Sequence, residues 1–271
     1  MTMAMAAHGR FSGWLAAAFA AAALTLLAGC AAQQQQQQDV VTSGEEPENR
    51  RRARIRLELA SNYYAEGKTD IALEELKQVI ATDPTLPDAY NLRALIYQRL
   101  GDNVQAEDSF RRALALNPRD ADAHHNFGWM QCQLGRYPEA QLSFQRALAN
   151  PIYAGRSKSY MALGLCQARA GQLAEAEQSL VRSYELDAGN PITGYNLARI
   201  LFQRGEFPRA QFYIRRLNNS ELANAETLWL GIKVEQRMAD TAAMGQLSEQ
   251  LRKRFPQSRE RGALDRRAFD E

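Results

Sequence analysis

Histidine is scarce in this chain of 271 residues: there are three, and His8 belongs to an apolar leader. The other two, His124 and His125, are adjacent. Adjacent helical side chains point about 100° apart, whereas a metal-binding pair on a helix sits three or four residues apart. No metal site is expected from them. No nucleophile stands with a matching base, no glycine-rich phosphate loop is present, and no carboxylate pair stands out from the surface charge. The chain therefore does not read as an enzyme, and neither a cofactor nor a small-molecule substrate is expected. An excess of one charge is also missing. Lys and Arg total 33 against 31 Asp and Glu, a net charge of +2, which gives no reason to expect nucleic acid. A membrane-spanning run is absent as well. The apolar stretch Trp14–Ala28 has 15 residues, short of the about 20 that a spanning helix needs.

That short stretch, preceded by His8 and Arg10, has the length of a secretory signal core. It ends in Leu27-Ala28-Gly29-Cys30, which resembles the lipobox of bacterial lipoproteins. The resemblance implies cleavage before Cys30 and acylation of its thiol, with residues 1–29 removed. Two or three acyl chains, at about 0.8 kcal/mol per buried methylene, would hold the protein to a membrane. Ala31 occupies the position where such lipoproteins carry Asp for inner-membrane retention, so the outer membrane, periplasmic face, is implied. From residue 30 to 52 nothing reads as folded. The glutamine run Gln33–Gln38 and the polar residues after it suit a disordered tether.

From Ala53 the chain repeats. Ala72, Ala106 and Ala140 recur every 34 residues, as do Tyr63 and Tyr97, Pro84 and Pro118, Phe110 and Phe144, Ala94 and Gly128, and Ala113 and Ala147. Small residues at repeat positions eight and twenty, aromatics at eleven and twenty-four and proline at thirty-two resemble the tetratricopeptide repeat. Each unit is a pair of amphipathic helices that cannot bury its apolar face alone and needs copies stacked beside it. Proline falls between helices, where its missing N–H does no harm. Unit starts are placed at Ala53, Pro87, Ala121, Ser157, Pro191 and Asn224, with two extra residues in a turn at Asn150–Gly155. The expected fold is all-α: a right-handed superhelical array of about six repeats over residues 53–256, about a dozen antiparallel helices. The sixth unit is the weakest match and reads as a cap. Residues 257–271 are basic and polar and read as a frayed, solvated tail.

With Cys30 assigned to lipidation, Cys132 and Cys166 remain, at positions twelve and ten of the first helices of units three and four. Those helices are neighbours in the stack, so the two thiols either pair in the oxidising periplasm or pack as separate buried thiols. In such arrays positions two, five, nine and twelve of each first helix line a groove. They supply Arg54, Leu57, Ser61 and Tyr64, then Asp88, Asn91, Leu95 and Gln98, then Asp122, His125, Trp129 and Cys132; unit five adds Tyr195, Arg199 and Phe202. An aromatic and aliphatic floor with amide donors suits an extended or helical peptide. Trp129 and Tyr64 are the natural anchors, since rigid aromatics concentrate binding energy; Trp129 has the alternative of packing between units. Asn126 and Asn196, at position six, are placed to hold a peptide backbone. No Lys/Arg cluster recurs at the positions that clamp a terminal carboxylate.

Several local stretches are not demanded by the generic repeat: Asn126-Phe127-Gly128-Trp129-Met130 with Cys132, Ala149-Asn150-Pro151-Ile152-Tyr153, Gly164-Leu165-Cys166, Glu226-Thr227-Leu228-Trp229-Leu230-Gly231 and Arg252-Lys253-Arg254-Phe255-Pro256. With the lipobox and six repeats, they resemble the type IV pilus biogenesis lipoproteins of the PilF/PilW family over residues 53 to 258. The resemblance implies a pilotin, an outer-membrane lipoprotein that binds secretin subunits and promotes their localisation and multimerisation. It also implies that Cys132 and Cys166 pair, because family members carry cysteine at both positions. The other classes to weigh are a general tetratricopeptide scaffold for cell-wall or outer-membrane assembly, and an enzyme, which would need clustered titratable groups in the groove.

Overall fold

The computed structural model describes residues 46–270. The leader, the lipidation at Cys30 and the tether up to residue 45 lie outside the described residues. Among those described there are thirteen α-helices and no strands. Six consecutive pairs run α1 (Glu48–Ala65) with α2 (Thr69–Thr82), α3 (Pro87–Arg99) with α4 (Asn103–Leu116), α5 (Ala121–Gln133) with α6 (Tyr137–Leu148), α7 (Arg156–Arg169) with α8 (Leu173–Leu186), α9 (Pro191–Gln203) with α10 (Phe207–Asn218), and α11 (Ala225–Arg237) with α12 (Thr241–Arg254); α13 (Arg259–Arg266) follows.

Side-chain chemistry sets many of the helix starts. Asp102, Asp120, Asn190, Asp240 and Ser258 cap N-termini by accepting a backbone N–H, and Asn224 closes a reciprocal capping box with Thr227. Proline sits in the first turn of α3, α6, α9 and α10. Within every pair the first helix ends in the same reverse turn. Its fifteenth unit residue is left-handed, and the two backbone bonds of a Schellman motif, such as Gly135 N–H to Cys132 O and Arg136 N–H to Gln131 O, hold it. Five of these residues are glycines (Gly67, Gly101, Gly135, Gly171, Gly205); the sixth is Ala239, at φ 59°.

Packing then follows the repeat. Ala72, Ala106, Ala140, Ala176 and Ala210 are fully buried, and so are Leu76, Phe110, Phe144, Leu180 and Ile214 four residues on. The paired helices approach closely where the first carries a small residue. A Cβ added to Gly164 would lie 2.7 Å from Leu180 Cγ and 3.0 Å from the Ala176 carbonyl oxygen. Every second helix packs on the first helix of the next unit, and from α3 to α11 neighbouring first helices also touch, which forms the face on which the candidate site lies.

Three boundaries differ from those expected. Helix α1 begins at Glu48, five residues before Ala53, because Arg50 reaches Asp83 (Nε–Oδ2 2.7 Å) and Thr85 and ties an extra turn to the loop after α2. The sixth unit begins at Ala225, not Asn224, since Asn224 is the N-cap. That places Ala239 34 residues after Gly205 and Leu251 34 after Leu217, both of the latter buried. The segment after Pro256 is not frayed: Ser258 caps α13, which buries Ala263 and Leu264 against a cluster containing Trp229, Ile232 and Leu251. Two apolar residues among the arginines are enough to dock one face of a short helix.

Candidate partner-binding groove

The face of the first helices is built from residues that must serve both the stack and any guest. At its N-terminal end Leu57 and Tyr64 are half-buried against the α1–α2–α3 core, and Ser61 is exposed beside them. The Arg99 guanidinium lies 4.0 Å from the centre of the Tyr64 ring and donates to the Tyr64 carbonyl (2.9 Å), which joins units one and two. Arg54, Leu57, Glu58, Ser61, Asn62 and Asp88 line a cleft of about 310 Å³ here. Burial, with Asp120 and Asp122 nearby, raises the Asp88 carboxyl, while Arg54 opposes the rise.

Amides bridge the middle of the face. Asn126 donates to Asn91 Oδ1 (3.3 Å) and Gln98 to Gln133 Oε1 (2.6 Å), each across two units. Leu95 is half-buried against the Phe110–Phe127 cluster. Trp129 is half-buried beside the cluster holding Cys132, Phe144 and Cys166, with the Arg169 guanidinium 5.2 Å from its ring centre. Trp129 thus packs in part between units, and part of its surface stays accessible. Cys132 and Cys166 are joined by a disulfide with a Cα–Cα distance of 5.8 Å, linking α5 to α7. A bridge closing a loop of this length stabilises by about 3–4 kcal/mol in the chain-entropy account.

Two expected contact residues are not available to a guest. His125 is only 4% exposed. Its Nδ1 is 2.8 Å from Ser159 Oγ and its ring meets Phe144 edge-on, because α7 packs over it. Burial, aided by the nearby Lys158 charge, pushes the imidazole down to about 4. Asn196 is also buried. Its amide donates to the Ile192 carbonyl of its own helix (2.8 Å) and accepts from Arg199 (3.1 Å), so its polar atoms are engaged locally. Arg199 itself is exposed on the face.

A sixth unit started at Asn224 would put Ala225, Leu228 and Ile232 on the face, and Leu228 and Ile232 are fully buried. With Ala225 as its start, positions two, five and nine become Glu226, Trp229 and Lys233. They join Tyr195, Arg199 and Phe202 in a cleft of about 540 Å³ that α13 closes on one side. The Asn224–Thr227 capping box was the signal that would have set the register. Among the described residues no group of three or more His, Cys, Asp or Glu is arranged to hold a metal ion, and no helix is long and apolar enough to cross a membrane.

Models of the tetratricopeptide repeat match residues 60–101, 85–151, 126–191 and 167–226. The chain is 27% identical over 204 residues to the type IV pilus assembly protein PilF of Pseudomonas aeruginosa, covering 75% of this chain and 81% of that one. A crystal structure of PilW, a widely conserved type IV pilus biogenesis factor, superposes with a TM-score of 0.70 at 31% identity, covering 78% of this chain and 97% of PilW. A structure of Pseudomonas aeruginosa PilF superposes with a TM-score of 0.73 at 26% identity, over 81% of this chain and all of that one.

Proposed function

The chain belongs to the PilF/PilW family of tetratricopeptide-repeat proteins of type IV pilus biogenesis, and from that premise we propose that it is an outer-membrane lipoprotein acting as a pilotin. In this reading the acyl chains on Cys30 supply membrane affinity. The face of first helices supplies affinity for secretin subunits, and joining the two raises the local concentration of subunits at the membrane where they multimerise. No covalent step on the partner is required. The observation that carries the reading is the match to nearly the whole of PilW at 31% identity. The lipobox at Leu27–Cys30 supports the anchor. Tyr64, Asn91, Leu95, Gln98, Asn126 and Trp129, with Leu57, Ser61 and Arg199 beside them, support a protein segment as the guest, because accessible aromatic surface alternates there with amides that can bond a backbone.

The test is capture of secretin by purified protein. Trp129→Ala removes an anchor, and Asn91→Ala with Asn126→Ala removes the amide pair. Each is expected to weaken secretin binding by about 1–3 kcal/mol, roughly 5- to 150-fold, the range of central interface residues. Unchanged affinity in both variants would sink the placement of the site. Failure of the unsubstituted protein to bind secretin at all would favour a general scaffold for other envelope machinery.

A further inference from the structure

Beyond the central face lies the cleft between α9, α11 and α13, and part of it is filled by the chain itself. After α13 the backbone reverses through the same kind of left-handed turn that ends the first helix of each pair. Arg267 sits at φ 54°, with Arg267 N–H to Leu264 O and Ala268 N–H to Ala263 O closing a Schellman motif. The turn brings Phe269 flat onto Trp229, with ring centres 5.5 Å apart and planes at 22°, and brings Asp270 to Arg237 (3.0 Å). The cleft beside this contact carries Lys233, whose ammonium lies 5.6 Å from both the Phe202 and the Trp229 ring centres. Arg199, Arg259 and Arg266 add positive charge around it, and Glu226 and Glu260 add negative.

Two parts of this C-terminal segment are held very differently. Helix α13 is docked by buried Ala263 and Leu264. Ala268 is tied to α13 by its backbone bond to Ala263 and packs with the Trp229 cluster, whereas Phe269 and Asp270 are held by the ring packed on that cluster and by an ion pair whose Asp270 side chain is 91% exposed. An exposed ion pair contributes little. Phe269 and Asp270 can therefore leave the cleft while α13 and its closing turn stay, and their departure uncovers Trp229 beside the ammonium of Lys233.

We propose that this cleft is a second seat for the protein partner, that the partner segment carries an aromatic residue followed directly by an acidic one, and that Phe269–Asp270 is a displaceable placeholder for it. The proposal rests on the reading that the face of first helices binds a protein segment, and adds which chemistry one end of it selects. The aromatic side chain would stack on Trp229 as Phe269 does, and the carboxylate would meet Lys233 and Arg237. A displaceable occupant lowers the apparent affinity by the fraction of molecules in which the seat is open.

The experiment uses the full chain and a labelled synthetic peptide containing a Phe-Asp step, with Phe-Lys and Ala-Asp versions as controls. Fluorescence anisotropy reads the binding. The Phe269→Ala/Asp270→Asn double variant is expected to bind the Phe-Asp peptide about tenfold tighter than the parent, as removal of a mostly closed state requires. Lys233→Glu introduced into that double variant is expected to abolish the gain, and the two control peptides are expected to bind weakly throughout. The thermal midpoint of the double variant should stay at that of the parent, which shows that the segment is a placeholder and not a structural clasp. Equal affinity of parent and double variant, a drop in the midpoint without a gain in binding, or equal binding of the Phe-Lys peptide would overturn the proposal. Secretin capture in the same proteins separates the two claims. Capture that Trp129→Ala abolishes and the double variant leaves unchanged overturns the second seat and leaves the pilotin reading intact. Absence of capture by every protein, the parent included, overturns the reading on which the proposal rests.

Discussion

His125 shows how a single residue couples this array to pH. Buried under α7, it is held neutral, with the imidazole near 4, below the ordinary 6.5 of an unfolded chain. Below pH 6.5 the unfolded chain takes up a proton that the folded protein refuses. Stability is therefore fully present above about 6.5, falls as the pH drops to about 4, and levels off below that. The contribution is up to about 3 kcal/mol, and His124, lowered by burial in the same direction, adds to it. Replacing His125→Gln keeps a hydrogen-bonding partner for Ser159 and removes the titration. Chemical denaturation between pH 7 and 4.5 should show a clearly shallower loss of stability in the variant, and an unchanged slope would contradict the burial argument. Asp83 works at lower pH. The Arg50 guanidinium and Thr85 hold its carboxyl down to about 2, so its contribution persists above pH 4 and is lost as the pH falls to about 2. Neither behaviour was legible in the sequence. Position five of a first helix predicts exposure for His125, but Ser159, at position three of the next unit, pairs with the ring and α7 covers it.

At the scale of the element, the left-handed turn between paired helices is the feature that sets the register. Gly67, Gly101, Gly135, Gly171 and Gly205 take it without strain, and nothing lies within 4 Å of a Cβ built on any of them. Only the backbone conformation would oppose a side chain there. Gly205→Ala should therefore cost about 1 kcal/mol, and Ala239→Gly should gain about 0.5–1 kcal/mol, since Ala239 already bears that strain at φ 59°. Equilibrium unfolding of the two variants checks the pair, and the account requires opposite signs. The period of alanines and of bulky residues four positions on made five units legible because close helix packing requires both. The sixth slipped by one residue because Ala stands where the turn glycine is expected, and because Ile232, Met244 and Ser248 stand where small or bulky residues mark the other units. Helix α13 was not legible because arginines outnumber its two buried residues.

For the whole molecule, an array that stacks each unit only on its neighbours presents one continuous face, and the disulfide between α5 and α7 fixes that face near its middle. Fold and family were within reach of the sequence, because they rest on spacing and local motifs, and the family resemblance in turn implied the cysteine pairing that the structure shows. The conformation of the face was not: Asn196 is engaged by its own helix, and the burial of His125 and the cleft at Trp229 depend on neighbouring units. The central claim joins this face to an anchor at Cys30. The most direct measurement is the amount of heat-resistant secretin multimer in outer-membrane fractions from three strains: one unaltered, one lacking this protein, and one carrying Cys30→Ala. The account predicts that multimers fall or leave the outer membrane in both altered strains. Multimers unchanged in amount and location in the strain lacking the protein would contradict it.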